Sequence, residues 1–263
     1  MIGTTIYCYS ATGNSLVLAR AIARALEDTD IRLISRYRKI KTTPRCERVG
    51  IIFPVYAWGP PRTVEEFVRN LDLRHVRYNF AIASCGGTAA GTLLRLRKAM
   101  RKNGGELHAG FIAKSPGYLA GSGHNSLIAT VRCLSGKPYP PIEERLPEII
   151  EWIRNEKRIR PERSALPGAI LGNFFHTKAK EQFPRLDANH EVGESCKSCG
   201  TCTRVCPRGN VTLMGGRPGW HHDCDFCGAC ATWCPNNAIR TKGMPVAPRS
   251  HNTEVNAADL MWA

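Results

Sequence analysis

Eight of the 12 cysteines in this 263-residue chain are packed between Cys196 and Cys234, in two copies of one pattern. Cys196, Cys199, Cys202 and Cys206 precede Pro207, and Cys224, Cys227, Cys230 and Cys234 precede Pro235, so both runs read CxxCxxCxxxCP. A segment this short cannot bury a conventional core, so whatever the thiolates hold must also hold the segment together. In a reducing compartment, cysteines at fixed short spacings are metal ligands more often than disulfide partners. Three thiolates on one tight loop can each reach a different corner of a metal cube, while the following proline fixes φ and turns the chain away. Zinc is the alternative occupant. Its ligands usually arrive as two CxxC pairs converging on one ion, which overlapping triplets do not suit.

The spacing is that of bacterial two-cluster ferredoxins, in which three close thiolates hold one 4Fe-4S cube and the fourth, displaced cysteine reaches the other. One cluster is then expected on Cys196, Cys199, Cys202 and Cys234, and the second on Cys224, Cys227, Cys230 and Cys206. The small residues Gly200, Thr201, Gly228 and Ala229 let backbone amides approach the cluster sulfurs. His221 and His222 lie between the runs and are expected at the surface.

The rest of the chain differs in charge. Residues 1–160 hold 26 Lys and Arg against 13 Asp and Glu, residues 161–190 hold 4 against 3, and residues 191–263 hold 7 against 6. The basic clusters at residues 36–41 and 95–102 could mark a nucleic-acid footprint. In the second, however, Leu93, Leu96 and Met100 share one helical face and leave Arg95, Lys98 and Lys102 on the other, which predicts a solvated helix face and no nucleic-acid partner. No apolar run approaches the roughly 18 residues of a membrane span, and no secretory signal is visible at the N-terminus. A cytoplasmic location is the expectation.

Short apolar runs alternate with helical patterns through the first part, as in a parallel sheet covered on both faces. Strands are predicted at residues 5–9, 30–34, 48–53, 80–84 and 108–113, and helices at 15–26, 63–70, 92–102 and 142–156. This inventory predicts an α/β doubly wound five-stranded parallel sheet over residues 1–160, followed over 161–190 by a linker that packs between the domains. A small α+β domain with the cysteine runs follows over 191–243, and then a loosely attached tail over 244–263. Residues 116–141 break the pattern and read as a loop with an ill-defined helix near 126–133.

Three loops follow predicted strands. After the first comes SATGNS, residues 10–15, opening a helix; backbone amides there, with the Ser10, Thr12 and Ser15 hydroxyls, would cradle a phosphate dianion. A plain helix cap is the alternative. The loop lacks the lysine of a triphosphate-binding loop and the spacing of a dinucleotide fingerprint. After the third strand comes PVYAWG, residues 54–59, and after the fourth SCGGT, residues 84–88. Ligands of open α/β sheets bind outside these strand ends. Tyr56 and Trp58 could flank a planar ring, Gly86 and Gly87 could approach its edge, and Cys85 is read as a small residue admitting the ring rather than a nucleophile.

Together these landmarks resemble the family of fusions between flavodoxin and a two-cluster bacterial ferredoxin, over roughly residues 1–243. The resemblance implies a flavodoxin-like FMN-binding domain. Ser10, Thr12, Gly13, Asn14 and Ser15 would lie at the phosphate; Pro54, Val55, Tyr56, Trp58 and Gly59 would lie on one side of the isoalloxazine; and Ser84, Cys85, Gly86 and Gly87 would lie near its polar edge. It departs from the usual acidic flavodoxin in its basic charge and in carrying no acid at residues 54–61 or 84–91. Reduced flavin should therefore be less disfavoured here than in acidic flavodoxins.

The expected function is electron transfer between two 4Fe-4S clusters and FMN, coupling one-electron carriers to a redox partner. Each cluster with four thiolates carries about two negative charges, which takes the cysteine-rich part from +1 to roughly −3. The basic first part could then dock that part, or an acidic external carrier whose association weakens as salt rises. Two rivals stand beside this reading. One is an FMN-dependent oxidoreductase reducing a small organic substrate, with Tyr118 or His124 as proton donor. The other is a redox-responsive iron-sulfur interaction protein without flavin.

Overall fold

The computed structural model describes residues 3–114, 131, 133–136, 139–242 and 251–261. Its first part is a parallel sheet of β1 (Thr4–Cys8), β2 (Thr29–Leu33), β3 (Arg48–Pro54), β4 (Tyr78–Cys85) and β5 (Ala109–Lys114) in the order β2-β1-β3-β4-β5. All five predicted strands are present, displaced by a residue or two at their ends. The helices are α1 (Asn14–Leu26), a short α2 (Ile34–Tyr37), α3 (Arg62–Arg69), α4 (Thr92–Arg101) and α5 (Ile142–Arg154).

Alternate strand residues enter two separate cores, as a sheet covered on both faces requires. On one face Ile6, Cys8, Ile52, Phe80 and Phe111 pack with Leu16, Ala19 and Ile22 of α1 and with Ile149 and Ile153 of α5. On the other, Tyr7, Ile51, Phe53 and Ala81 pack with Val64 and Phe67 of α3 and with Leu93, Leu96 and Met100 of α4. At Gly50 the β3 backbone passes under the Phe80 ring so closely that any Cβ would overlap it. This strand order reverses direction between β1 and β3. It is the flavodoxin-like doubly wound order, whose ligand crevice opens at the carboxyl ends of those two strands.

The linker segment over 161–190 is mostly helix: α6 (Leu166–Gln182) runs into a 3-10 helix (Phe183–Asn189). Its glycines, which read as breakers, are required by contact. A Cβ at Gly172 would overlap Ala90 and stand 3.1 Å from Trp58 Cβ, and one at Gly168 would meet Ser135 at 2.6 Å. Arg95, predicted on a solvated face, reaches α6 and donates to the Asn173 carbonyl at 2.8 Å and to Thr177 Oγ1 at 2.6 Å.

The cysteine-rich part holds α7 (Thr201–Arg204), α8 (Ala229–Thr232) and two small antiparallel pairs. These are β6 (His190–Val192) with β9 (Ile239–Thr241), and β7 (Val211–Met214) with β8 (Arg217–Trp220). The described portion of the predicted loose tail packs against the first part and ends in α9 (Ala257–Leu260), with Val255 and Leu260 buried. Among the described residues no helix is long and apolar enough to cross a membrane.

Candidate functional site

The sequence repeat is a structural repeat. Ser198 and Phe226 take left-handed backbones at φ 54° and 53°, and Gly200 and Gly228 follow at 71° and 72° before α7 and α8. Only glycine takes such a φ without strain, and here it leads the chain into each short helix. Cys196, Cys199, Cys202 and Cys234 line one small cavity, walled otherwise by residues such as Leu213, Pro218 and Ile239. The fourth cysteine of the second run thus joins the first triplet. Cys206 correspondingly lies among Cys224, Cys227 and Cys230, each of which feels its charge.

Backbone amides already point at sulfur: Asn210 N to Cys206 at 3.3 Å, Phe226 N to Cys224 at 3.1 Å and Ala238 N to Cys234 at 3.3 Å. Such donors favour thiolate, whereas burial of the metal-free thiols pushes Cys202 up to about 11 and Cys224 up to about 12. Metal binding must therefore displace protons. Among the described residues no three His, Cys, Asp or Glu side chains are placed to hold a single metal ion. A cube draws each thiolate to a separate iron, so its ligands need not converge on a point. These donors and the cavity fit 4Fe-4S cubes.

The two cysteine sets differ in setting. Cys199 is exposed, while Cys206, Cys224 and Cys230 are buried. Cys227 packs against the sheet core beside Tyr9 and Tyr56, so the second set meets the crevice between β1 and β3. Asp225, 2% exposed, completes this contact: it accepts from the Tyr9 hydroxyl at 3.2 Å and from Thr63 N at 3.2 Å. Burial raises its carboxyl, with Arg208 opposing that. The loops at residues 54–61 and 84–91 carry no acid of their own, and the fold delivers Asp225 from the cysteine-rich part.

At the end of β1, α1 begins at Gly13 in a left-handed conformation at φ 97°, without a side-chain cap. Ser10 Oγ accepts from Gly13 N at 3.1 Å, and the buried Ser15 and Ser84 hydroxyls meet at 2.9 Å. Among the described residues, nothing accepts from the backbone N–H of Thr12 or Ser15. A helix start with unpaired amides and three hydroxyls fits a phosphate. Gly86 and Gly87 are exposed at the end of β4, with open space beside Gly87. Cys85 is buried and its thiol is pushed up to about 11, which argues against a nucleophile.

The PVYAWG loop is held by α6. Ala57 and Trp58 are left-handed at φ 42° and 66°, conformations that cost of order 1–3 kcal/mol each without support. Support comes from reciprocal backbone bonds between Tyr56 and Gly59, 2.9 and 3.0 Å, and from the fully buried His176 of α6. His176 Nδ1 donates to the carbonyls of Tyr56 and Ala57 at 3.2 and 3.1 Å. Tyr56 itself turns toward Tyr9 in an edge contact, and Trp58 packs on Phe175. Tyr118 and His124 lie outside the described residues.

α6 is fastened by Glu65 of α3, which accepts from Lys180 Nζ at 2.6 Å. Burial disfavours the Glu65 carboxylate, but His176 and Lys180 outweigh it and hold the group down at about 2. A depressed folded value means stability that is complete above the ordinary carboxylate range and is lost as pH falls from there toward 2. E65Q should therefore lower stability at neutral pH by about 1.5–3 kcal/mol. The difference from wild type should shrink as pH falls below 4.5, measured by denaturant melts across pH.

Residues 195–239 match the 4Fe-4S dicluster domain family. Among solved structures, a short-chain flavodoxin associated with a PDU bacterial microcompartment is 15% identical over 57% of this chain and 95% of its own, with a TM-score of 0.39. A flavodoxin of Streptococcus pneumonia TIGR4 is 15% identical over 41% and 81%, with a TM-score of 0.32. A flavoprotein in complex with FMN from Lactobacillus acidophilus NCFM is 12% identical over 43% and 93%, with a TM-score of 0.34. A search of curated proteins finds no match. The flavodoxin-like fold rests on the strand order and not on these likenesses. The chain joins that fold to a segment that matches the 4Fe-4S dicluster domain.

Proposed function

We propose that the chain is an electron-transfer protein in which two 4Fe-4S clusters exchange electrons with an FMN held at the β1/β3 crevice. Cys196, Cys199, Cys202 and Cys234 are assigned to one cluster; Cys224, Cys227, Cys230 and Cys206 to the other. Residues 10–15 with Ser84 are assigned to the FMN phosphate, and residues 54–59 and 84–87 to its ring. The clusters would supply single-electron steps, and the flavin a centre able to hold one electron or two.

The observation that carries this reading is the seating of Cys227 on Tyr9 and Tyr56 at the crevice. It sets the second cysteine group beside the flavin loops, while Cys199 of the first group remains exposed to a carrier. The chain's own residues position and shield. Tyr9 and Asp225 fix the buried group against the sheet, and His176 of α6 fixes the ring-side loop. The basic first part suits an acidic protein carrier, whose second-order rate should fall as ionic strength rises.

The test is anaerobic purification with iron, sulfide and flavin quantified and an optical spectrum recorded. Two cubes and one FMN per chain are expected. Iron without flavin would return the case to an interaction protein, and turnover of a small organic substrate without a protein carrier would favour an oxidoreductase.

A further inference from the structure

Two elements remote in sequence grip the phosphate loop from its outer side. Trp233 donates its indole N–H to the Ala11 carbonyl at 2.6 Å in a buried contact. Asn252 N donates to the Thr12 carbonyl at 2.8 Å, and the Asn252 side-chain amide to Asn14 Oδ1 at 3.2 Å. The His251 ring stacks on Trp233, centroids 4.4 Å apart. Val255 is 4% exposed and lies so close to Gly13 that a Cβ there would stand 3.1 Å from it. Beyond it an Asn256/Asp259 capping box starts α9, Arg20 pairs with Asp259 at 2.6 Å, and Arg36 donates to the Met261 carbonyl at 2.8 Å.

These contacts act on the donors that face the crevice. A trans peptide carries its C=O and the next N–H in one plane on opposite sides. Tying the Ala11 carbonyl to Trp233 therefore sends the Thr12 N–H the other way, and that N–H has no acceptor among the described residues. Tying the Thr12 carbonyl to Asn252 likewise turns the Gly13 N–H toward Ser10 Oγ, which it reaches at 3.1 Å. Loop peptides would otherwise spend entropy to align when an anion arrives.

We infer that Trp233 and the strap of residues 251–261 are positioning residues for the FMN phosphate, preorganising the amides of residues 10–15 before the cofactor binds. This rests on the FMN reading above. Neither element is required to touch the cofactor. Their effect should depend on the phosphate, since the isoalloxazine loops lie elsewhere.

The test compares FMN with riboflavin, which lacks the phosphate, by quenching of flavin fluorescence on cluster-loaded full-length protein under anaerobic conditions. W233F keeps a ring for His251 and loses the N–H. It should weaken FMN about five- to tenfold, as one lost hydrogen bond implies, and leave riboflavin unchanged. A chain ending at residue 250 should weaken FMN further, again sparing riboflavin, and it carries the test alone if W233F loses iron. An unchanged FMN affinity in both variants overturns the inference, as does equal weakening of FMN and riboflavin. Wild-type protein that binds neither flavin overturns the FMN reading itself and the inference with it.

Discussion

Replacing Cys234 by alanine is expected to abolish the cluster of the first triplet and spare that of the second, although Cys234 belongs to the second run. The cavity lined by Cys196, Cys199, Cys202 and Cys234 predicts this exchange, and the position of Cys206 among Cys224, Cys227 and Cys230 predicts its mirror image. Iron content should fall by half in either C234A or C206A. The location of the loss separates crossed from local ligation. Cys227 adjoins Tyr9, and Cys199 meets Thr201 Oγ1 at 3.4 Å. Paramagnetic broadening of Tyr9 signals should therefore survive in C234A and vanish in C206A, with Thr201 behaving oppositely. Local ligation would give the reverse. Removing all iron should go further, because the cluster part's own core consists of Val211 and Ile239 with three of the ligand cysteines. Without metal that part has too little apolar area to stay folded. Circular dichroism should then show its loss while the five-stranded sheet persists.

Local pattern carried the sequence reading wherever the governing contact was local. The strands alternate between two cores, so each apolar run is marked by its own period, and the cysteine spacing encodes a loop geometry that repeats to within a few degrees at Gly200 and Gly228. What escaped was contact between distant segments. Asp225 meets Tyr9 across 216 positions, and Trp233 meets Ala11 across 222, and nothing near either residue announces its partner. The helix over 166–182 was hidden for another reason: Gly168 and Gly172 lower helix propensity, and close approach to Ser135, Ala90 and Trp58 explains their presence. The tail over 251–261 lacks any motif because its grip is by backbone bonds, one capping box and isolated side-chain contacts, which mixed sequence can supply.

Arg208→Met is expected to be the most destabilising single change outside the two cores. The guanidinium is buried in the cluster part and reaches Glu66 of α3 at 2.8 Å, Asp223 at 2.5 Å and Asp225 at 4.0 Å. Arg62 adds a bond to Asp223 at 2.9 Å and one to the Cys224 carbonyl at 3.1 Å, and Arg38 donates to the Arg208 carbonyl at 2.7 Å. The cluster part is thus pinned to the sheet through a cation shared by three carboxylates. Glu66 keeps Arg38 at 3.1 Å and Asp223 keeps Arg62, so taking Arg208 away strands chiefly the buried Asp225, a loss of about 3 kcal/mol. Wild type should unfold in one cooperative step; R208M should show two, with the cluster part leaving first. Burial alone would raise Glu66 and Asp223, but Arg208 and its neighbours hold both below the ordinary carboxylate range. The pinning should therefore be complete above that range and fade as pH falls through it, and this acid sensitivity should shrink in R208M. R74A, which breaks a fully surface pair with Asp72, should leave the melting midpoint in place. Adding D225N to R208M should recover most of the stability, because the cost lies in stranded buried charge rather than in a lost attraction. If the double variant is no better than R208M, the arginine contributes by packing and not by neutralising that acid.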